Sequence, residues 1–264
     1  MTEENNIGVK SVSSQYEDAK YSDFVEDQKN INHYNECYHY SFFLKLAPIL
    51  TKTESVRILD LACGNGILLR KLRRIRHDFE VTGIDQSKAM LLKAEILCAA
   101  EGINDDKTVL IQSDVLDLPQ DLGLFDCIVS GFFFAHVAEK QHLIAILTSI
   151  REHLVDGGLT VHIIPGCPDS AVEGIPTRVL LPVEIPHVEV ASDGVTTTLE
   201  VEHHEIELYD YYWSPETYID AARAAGLVDI QFEKGVVSQR GLDMNLEIYI
   251  DVYIFSARKP ESPN

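Results

Sequence analysis

A chain of 264 residues with 45% hydrophobic side chains and a formal charge of −20 has the length for one large α/β domain with an insertion, and too much apolar character for wholesale disorder. The acidic balance disfavours nucleic-acid substrates, because a negative surface repels phosphate backbones, and no apolar run approaches the ~20 residues of a membrane helix. The acidic opening Met1-Thr2-Glu3-Glu4-Asn5-Asn6 is no secretory signal, and the five cysteines lie far apart with no C-x-x-C pair, so the expectation is a cytoplasmic protein with reduced thiols and no cysteine-built metal centre.

Residues 1–50 read as an N-terminal arm and lid helix, and 51–264 as the main domain with a β insertion at about 165–212. From Tyr16 to Tyr40 the arm is dense in aromatic and polar residues, Tyr21 and His33 among them. Rings with polar tips suit a segment that covers a ligand, and equally an arm that fills surface grooves. Cys37 to Leu50 reads as a helix with Tyr38, Phe42, Leu46 and Ile49 on one stripe.

Val56 to Asp60 is an apolar strand ending in an acid, and it runs through Leu61-Ala62-Cys63 into Gly64-Asn65-Gly66 and a helical run from Ile67. Such a strand–turn–helix lets a ligand touch bare backbone at the positive end of a helix. The dinucleotide fingerprint places a third glycine three residues after the second; here that position is Leu69. The basic run Arg70-Lys71-Leu72-Arg73-Arg74 is expected on the solvent face of that helix.

Phe79 to Asp85 is the second strand, and Asp85 falls 19 residues after Gly66. A carboxylate at this strand tip accepts the ribose hydroxyls of an adenosine, in nicotinamide and S-adenosylmethionine sites alike. Ser87 is placed to cap a helix running to Ala100, with Ala89, Met90, Ala94, Leu97 and Cys98 facing inward. Thr108 to Gln112 is the third strand. Leu124 to Phe132 is the fourth, continuing into Phe133-Phe134-Ala135-His136-Val137. Strands of an open α/β sheet carry ligands at their carboxyl ends, so Ser130 to His136 should floor a cleft. His136 reads either as a general base or acceptor-orienting group, or as a structural histidine at a turn.

Lys140 to Leu154 is an amphipathic helix stopped at Asp156-Gly157-Gly158, and Leu159 to Ile164 is the fifth strand. Residues 165–212 alternate Val, Leu and Ile with polar residues, the period of two or three antiparallel strands forming a flap. Within it, Glu202-His203-His204-Glu205 invites a metal reading, but adjacent strand residues point to opposite faces and the pair cannot chelate together. His204, in phase with Ile206 and Leu208, is the one of the two expected to face the cleft. Ser214-Pro215-Glu216-Thr217 is a helix start, and Val228–Val237 and Leu246–Ala257 read as two final antiparallel strands.

D-L-A-C-G-N-G resembles motif I of the class I S-adenosylmethionine-dependent methyltransferases, and L-V-D-G-G-L-T-V resembles that family's L-K-P-G-G-x-L motif. Towards the C-terminus, Y-Y-W-S-P-E-T-Y-I-D-A-A-R-A-A-G-L, V-V-S-Q-R-G and a closing A-R-K look like the toxoflavin-biosynthesis-type small-molecule methyltransferases. The resemblance implies a Rossmann-like α/β fold: a seven-stranded, mostly parallel sheet with an antiparallel edge strand, an N-terminal helical arm and an antiparallel β flap. It implies S-adenosylmethionine as cofactor, S-adenosylhomocysteine as product and a small-molecule acceptor, with no nucleic-acid or membrane partner and a monomer or homodimer.

The same resemblance implies that Asp60, Ala62, Cys63, Gly64 and Gly66 form the cofactor turn, joined by Asp85, Gln86 and Met90. Asp114 would accept the adenine amine and the Val115 N–H would read a ring nitrogen, while Ser130 and Gly131 would pass beside the methionine part. His136, His204 and Tyr21 are the candidates on the acceptor side, and no metal is expected. No N/D-P-P-Y tetrad of the DNA amino methyltransferases follows the fourth strand. The alternatives are a cofactor-binding module without catalysis, an enzyme that methylates protein, and a nicotinamide oxidoreductase, which lacks its third glycine here.

Overall fold

The computed structural model describes residues 38–166, 173, 177–190, 196–243 and 252–262, with the backbone alone over 177–190 and 196–209. The elements in order are α1 (Tyr40–Lys45), α2 (Ala47–Leu50), β1 (Arg57–Leu61), α3 (Ile67–Ile75), β2 (Glu80–Asp85), α4 (Lys88–Ala100), β3 (Thr108–Gln112) and β4 (Phe125–Gly131). A 3-10 turn (Phe133–His136), α5 (Lys140–His153), β5 (Leu154–Pro165), β6 (Thr177–Val190) and β7 (Thr196–Asp210) follow. The chain closes with α6 (Pro215–Ala224), β8 (Val228–Lys234), α7 (Gln239–Asp243) and β9 (Val252–Arg258).

Seven strands form one sheet in the order β3-β2-β1-β4-β5-β9-β8. The first five are parallel, and β9 runs antiparallel to both of its neighbours at the β8 edge. This is the Rossmann-like methyltransferase arrangement expected from the sequence. β6 and β7 pair antiparallel as a separate two-stranded sheet, within the predicted insertion.

Strand alternation divides the core in two, because successive side chains point to opposite faces. Leu59, Ile128, Ile164 and Phe255 pack with Leu147 and Ile150 of α5 and Tyr218 and Ala221 of α6. Ile58, Cys127, Val129, Val161 and Ile254 pack with Phe42 and Leu46 at the N-terminal end and Leu68 and Leu72 of α3. Phe42, Leu46 and Ile49 of the predicted stripe are buried.

Local chemistry explains where the helices begin. Ser87 Oγ accepts from Met90 N at 3.2 Å and Ser214 Oγ from Thr217 N at 3.2 Å, caps worth about 1 kcal/mol each. Glu173 doubles the second cap, accepting from Ser214 N at 2.8 Å and Thr217 Oγ1 at 2.5 Å. On α4, Ala89 is exposed and Leu91 is buried in its place.

Three further expectations are corrected. The basic run of α3 is not a solvent face, since Arg70 and Arg73 are 2% and 1% exposed. Arg70 Nη1 meets Glu101 at 2.5 Å, and Arg73 meets Asp105 at 2.5 Å and Phe79 O at 2.7 Å. The stems fill the gap between α3 and the residues after α4 while these acceptors take terminal guanidinium N–H groups. Second, Asp156-Gly157-Gly158 does not separate helix from strand. β5 starts at Leu154, and the register jumps from Phe125↔Leu154 to Cys127↔Leu159, so the glycines form a bulge inside the strand. Third, β4 does not continue past Gly131. Phe132 adopts φ 62°, its N–H donates to Ile163 O at 2.9 Å, and the chain turns into the 3-10 segment.

Candidate active site

One cavity opens at the carboxyl ends of β1, β2, β4 and β5. Ala62, Cys63, Gly64, Asn65, Asp85, Gln86, Met90, Asp114 and Val115 line one part, and His39, Gly131, Phe132, Phe133, His136 and Ile163 are among those lining the rest. The turn after β1 is built from positive-φ residues: Ala62 (51°), Gly64 (55°) and Gly66 (76°). Ala62 carries a Cβ into a region that L-residues rarely occupy, a strain that persists only where the surroundings over-determine it. Cys63 N supplies one constraint by donating to Ile84 O at 2.9 Å.

Asp85 organises the turn. Its Oδ2 accepts from Gly64 N at 2.8 Å and its Oδ1 from Ser87 N at 2.8 Å, so the carboxylate is fixed by two backbone donors at the cavity wall. A carboxylate has about four acceptor positions, so these bonds orient it without exhausting it. At Gly64 an added Cβ would meet nothing within 4 Å; the glycine serves φ and leaves the backbone open. Asp114 is held by its own loop, Oδ1 accepting from Leu116 N at 2.9 Å.

The structure does not bring every expected residue to this wall. Asp60 is buried beneath the turn and outside the cavity lining. Its Oδ2 accepts from Leu69 N at 3.2 Å, the N–H that an N-cap side chain would take, because α3 starts at Gly66 without a side-chain cap. Burial raises the Asp60 carboxyl to about 8. Gly66 also lies behind the cavity, where a Cβ would come within 3.3 Å of Ala94 Cβ, so it permits α3 and α4 to pack closely. Ser130 faces the core: its Oγ bonds His162 Nδ1 at 2.7 Å. Thr160 Oγ1 donates to Ile128 O at 2.9 Å and bonds His162 Nε2 at 2.6 Å. Since the threonine proton is committed to the carbonyl, His162 Nε2 donates and Nδ1 accepts from Ser130.

His136 lines the cavity from the 3-10 turn, and its Nδ1 lies 3.7 Å from Asp210 Oδ1. Burial lowers His136 to about 4 and raises Asp210 to about 6. His204 sits on β7 opposite Val183; six residues of strand, about 20 Å, separate it from Asp210 at the foot of that strand. Tyr21 lies outside the described residues.

Residues 58–158 match the family model described as a methyltransferase domain. N-demethylindolmycin N-methyltransferase of Streptomyces griseus is 27% identical over 192 residues, 72% of this chain and 78% of the relative. An S-adenosylmethionine-dependent methyltransferase structure from Clostridium acetobutylicum superposes with a TM-score of 0.63 at 16% identity, covering 91% of this chain and 99% of the other. The sugar N-methyltransferase of Streptoalloteichus gives 0.59 at 18% identity, with 90% and 92% covered. The family match spans β1 into β5, and the superpositions show the fold of S-adenosylmethionine-dependent methyltransferases.

The donor set of the cavity fits S-adenosylmethionine. An ordered acid and the glycine turn that it anchors stand beside Met90, with a second acid and a buried Val115 across the cavity. Phe132 and Phe133 lie in the stretch Ser130 to His136 expected to floor the cleft, and His39 in the polar-aromatic arm expected to cover a ligand; sequence reasoning passed over the cavity role of Asn65. Among the described residues no cluster of three metal-ligating side chains occurs, and no helix is long and apolar enough to cross a membrane.

The buried titratable groups give the protein a stability optimum. His39, His136 and His162 are lowered to about 3, 4 and 3, with burial the leading cause each time. Below about pH 6.5 the unfolded histidines take up protons that the folded ones refuse, so stability falls with falling pH. Asp60 and Asp210 work oppositely, since their raised carboxyls stay protonated in the fold to higher pH. Balancing these protons predicts a maximum near pH 6.5, with roughly 2 kcal/mol lost by pH 5 and less than about 1 kcal/mol lost by pH 8. Urea titrations at the three values check it; stability that rises steadily from the lowest pH to the highest contradicts the assignment.

Proposed function

We propose that this enzyme transfers the methyl group of S-adenosylmethionine to a nitrogen or oxygen of a small metabolite by direct in-line displacement. The observation that carries the reading is a cavity whose one part offers Asp85, Gly64 and Asp114 and whose other part offers Phe132, Phe133, His39 and His136. In it, Asp85 holds the ribose hydroxyls, Asp114 and Val115 hold the adenine edge, and Gly131 passes beside the amino-acid part. The bound cofactor supplies an already activated sulfonium methyl. The protein's remaining work is to hold the acceptor atom on axis, exclude water and, for an acceptor that must lose a proton, receive it.

The aromatic wall favours a flat or heterocyclic acceptor, and the charge of −20 opposes a polyanionic one. The name of the Streptomyces griseus relative, an N-methyltransferase of a small molecule, supports the same class. The run from Tyr211 to Leu227 supports the likeness to the toxoflavin-biosynthesis type. The β6–β7 insertion covers the acceptor; residues 1–37 of the arm expected to join it lie outside the described residues.

The test offers methyl-labelled S-adenosylmethionine and the enzyme separately to the small-molecule, protein and nucleic-acid fractions of the source cell. Label in a small molecule is the expected result, and the product mass names the acceptor. Label in protein or nucleic acid overturns the acceptor class. Tight S-adenosylhomocysteine binding with no label in any fraction points to a binding module.

A further inference from the structure

The foot of the β6–β7 insertion is fastened to the turn that carries His136. Tyr211 N donates to Ala135 O at 2.6 Å, and Trp213 Nε1 donates to Val137 O at 2.8 Å. These bonds grip the residues on either side of His136, so the insertion and the turn are mechanically one piece. The last residue of β7 before that clamp is Asp210, whose Oδ1 is thereby set 3.7 Å from His136 Nδ1, with side chains only 15% and 18% exposed.

This contact differs from the other buried histidine of the sheet. His162 has both ring nitrogens occupied by hydroxyls of the core, Ser130 and Thr160, and it lines no cavity. His136 lines the cavity and turns Nδ1 to a carboxylate. An acid beside Nδ1 favours the tautomer protonated there, which leaves the lone pair on Nε2. The separation is slightly longer than a hydrogen bond, as catalytic contacts commonly are before the reacting partner seals the site. Among the described residues, the other ionisable side chains lining the cavity are His39, Cys63, Asp85 and Asp114.

We propose that Asp210 is a positioning residue: it holds the Nδ1–H tautomer of His136 and leaves Nε2 to receive the proton that the methyl acceptor gives up. The inference rests on the small-molecule reading above for the identity of that proton. The acceptor's N–H or O–H proton passes to Nε2, the imidazolium so formed is balanced by the Asp210 carboxylate, and Asp210 itself gains no proton. The insertion then supplies a working part of the site as well as a cover.

The test uses full-length protein with ¹⁵N-labelled histidine and bound S-adenosylhomocysteine, read by the ring ¹⁵N–¹H correlations, with His136→Asn to assign the signal. The expected result is a neutral Nδ1–H ring in the native protein. In Asp210→Asn, whose amide presents a donor to Nδ1, the ring should shift to the Nε2–H form. A native ring in the Nε2–H form, or one that ignores both Asp210→Asn and Asp210→Ala, overturns the proposal whatever the acceptor is.

With a labelled small-molecule product in hand, Asp210→Asn should lower kcat about 100-fold, with acceptor KM, S-adenosylhomocysteine affinity and melting temperature little changed. Asp210→Glu should restore part of the loss. An unchanged kcat with a raised KM also overturns the proposal. Failure to label any small molecule counts against the acceptor class, and the ring measurement still decides the role of Asp210.

Discussion

Asp85→Ala is expected to weaken S-adenosylmethionine binding by 100-fold or more while the protein stays folded. The carboxylate is placed at the cavity wall by Gly64 N and Ser87 N, both at 2.8 Å, and two charge-assisted hydrogen bonds to a diol contribute about 3–5 kcal/mol together. The loss has two components, because the same truncation frees the Gly64 N–H and loosens the turn that faces the ligand. Asp85→Asn separates them: it keeps the size but turns a donor towards one of the two backbone donors. Binding by calorimetry should therefore rank native above both variants, with the Asn variant no better than about tenfold above Ala. Affinity within threefold of native in Asp85→Ala, with an unchanged melting temperature, would remove Asp85 from the cofactor site.

The largest stability effect is expected at Arg73. Its guanidinium is buried, with Nη1 donating to His77 O and Phe79 O and Nη2 to Asp105. Arg73→Ala leaves two carbonyls without their donor and empties the volume of the stem, a loss of about 3–5 kcal/mol by the cost of breaking a buried ionic group. Arg73→Met refills most of the volume without the donors, so its recovery measures packing separately from hydrogen bonding. Urea unfolding of the two variants decides it. A cost below about 1 kcal/mol in Arg73→Ala would mean that water replaces the guanidinium without penalty.

The sheet was legible because strands buried on both faces read as short apolar runs, and because each of the first two ends in an acid at the start of a turn. Asp85 and Gly64 were found for the same reason: their spacing is set by the βαβ unit, which is local. What was misread depended on contacts between distant segments. Arg70 and Arg73 look like solvent residues until Glu101 and Asp105, some thirty residues on, are brought beside them. Asp60 and Asp85 both end strands in an acid, and only the packing of α3 over β1 tells the helix cap from the cavity acid. Ser130 was assigned to the cleft from its place at a strand end, yet the period of two turns it to the core, where His162 awaits it. Asp210 carried no signal at all, since its partner lies across an insertion whose length no local pattern fixes.

The position of β9 between β5 and β8 has a consequence for biosynthesis. β8 leaves the ribosome before β9, but it has no strand to pair with until β9 arrives. The edge of β5, which later pairs with β9 from Leu159 to Pro165, likewise waits. At about 5–20 residues per second, the ~90 residues between them leave that edge uncovered for roughly 5–20 s. During that interval the nascent chain presents an apolar parallel-sheet edge of the kind that recruits other strands. The last-made strand is therefore the one that closes the sheet, and a message cut short before it would yield a product prone to aggregate.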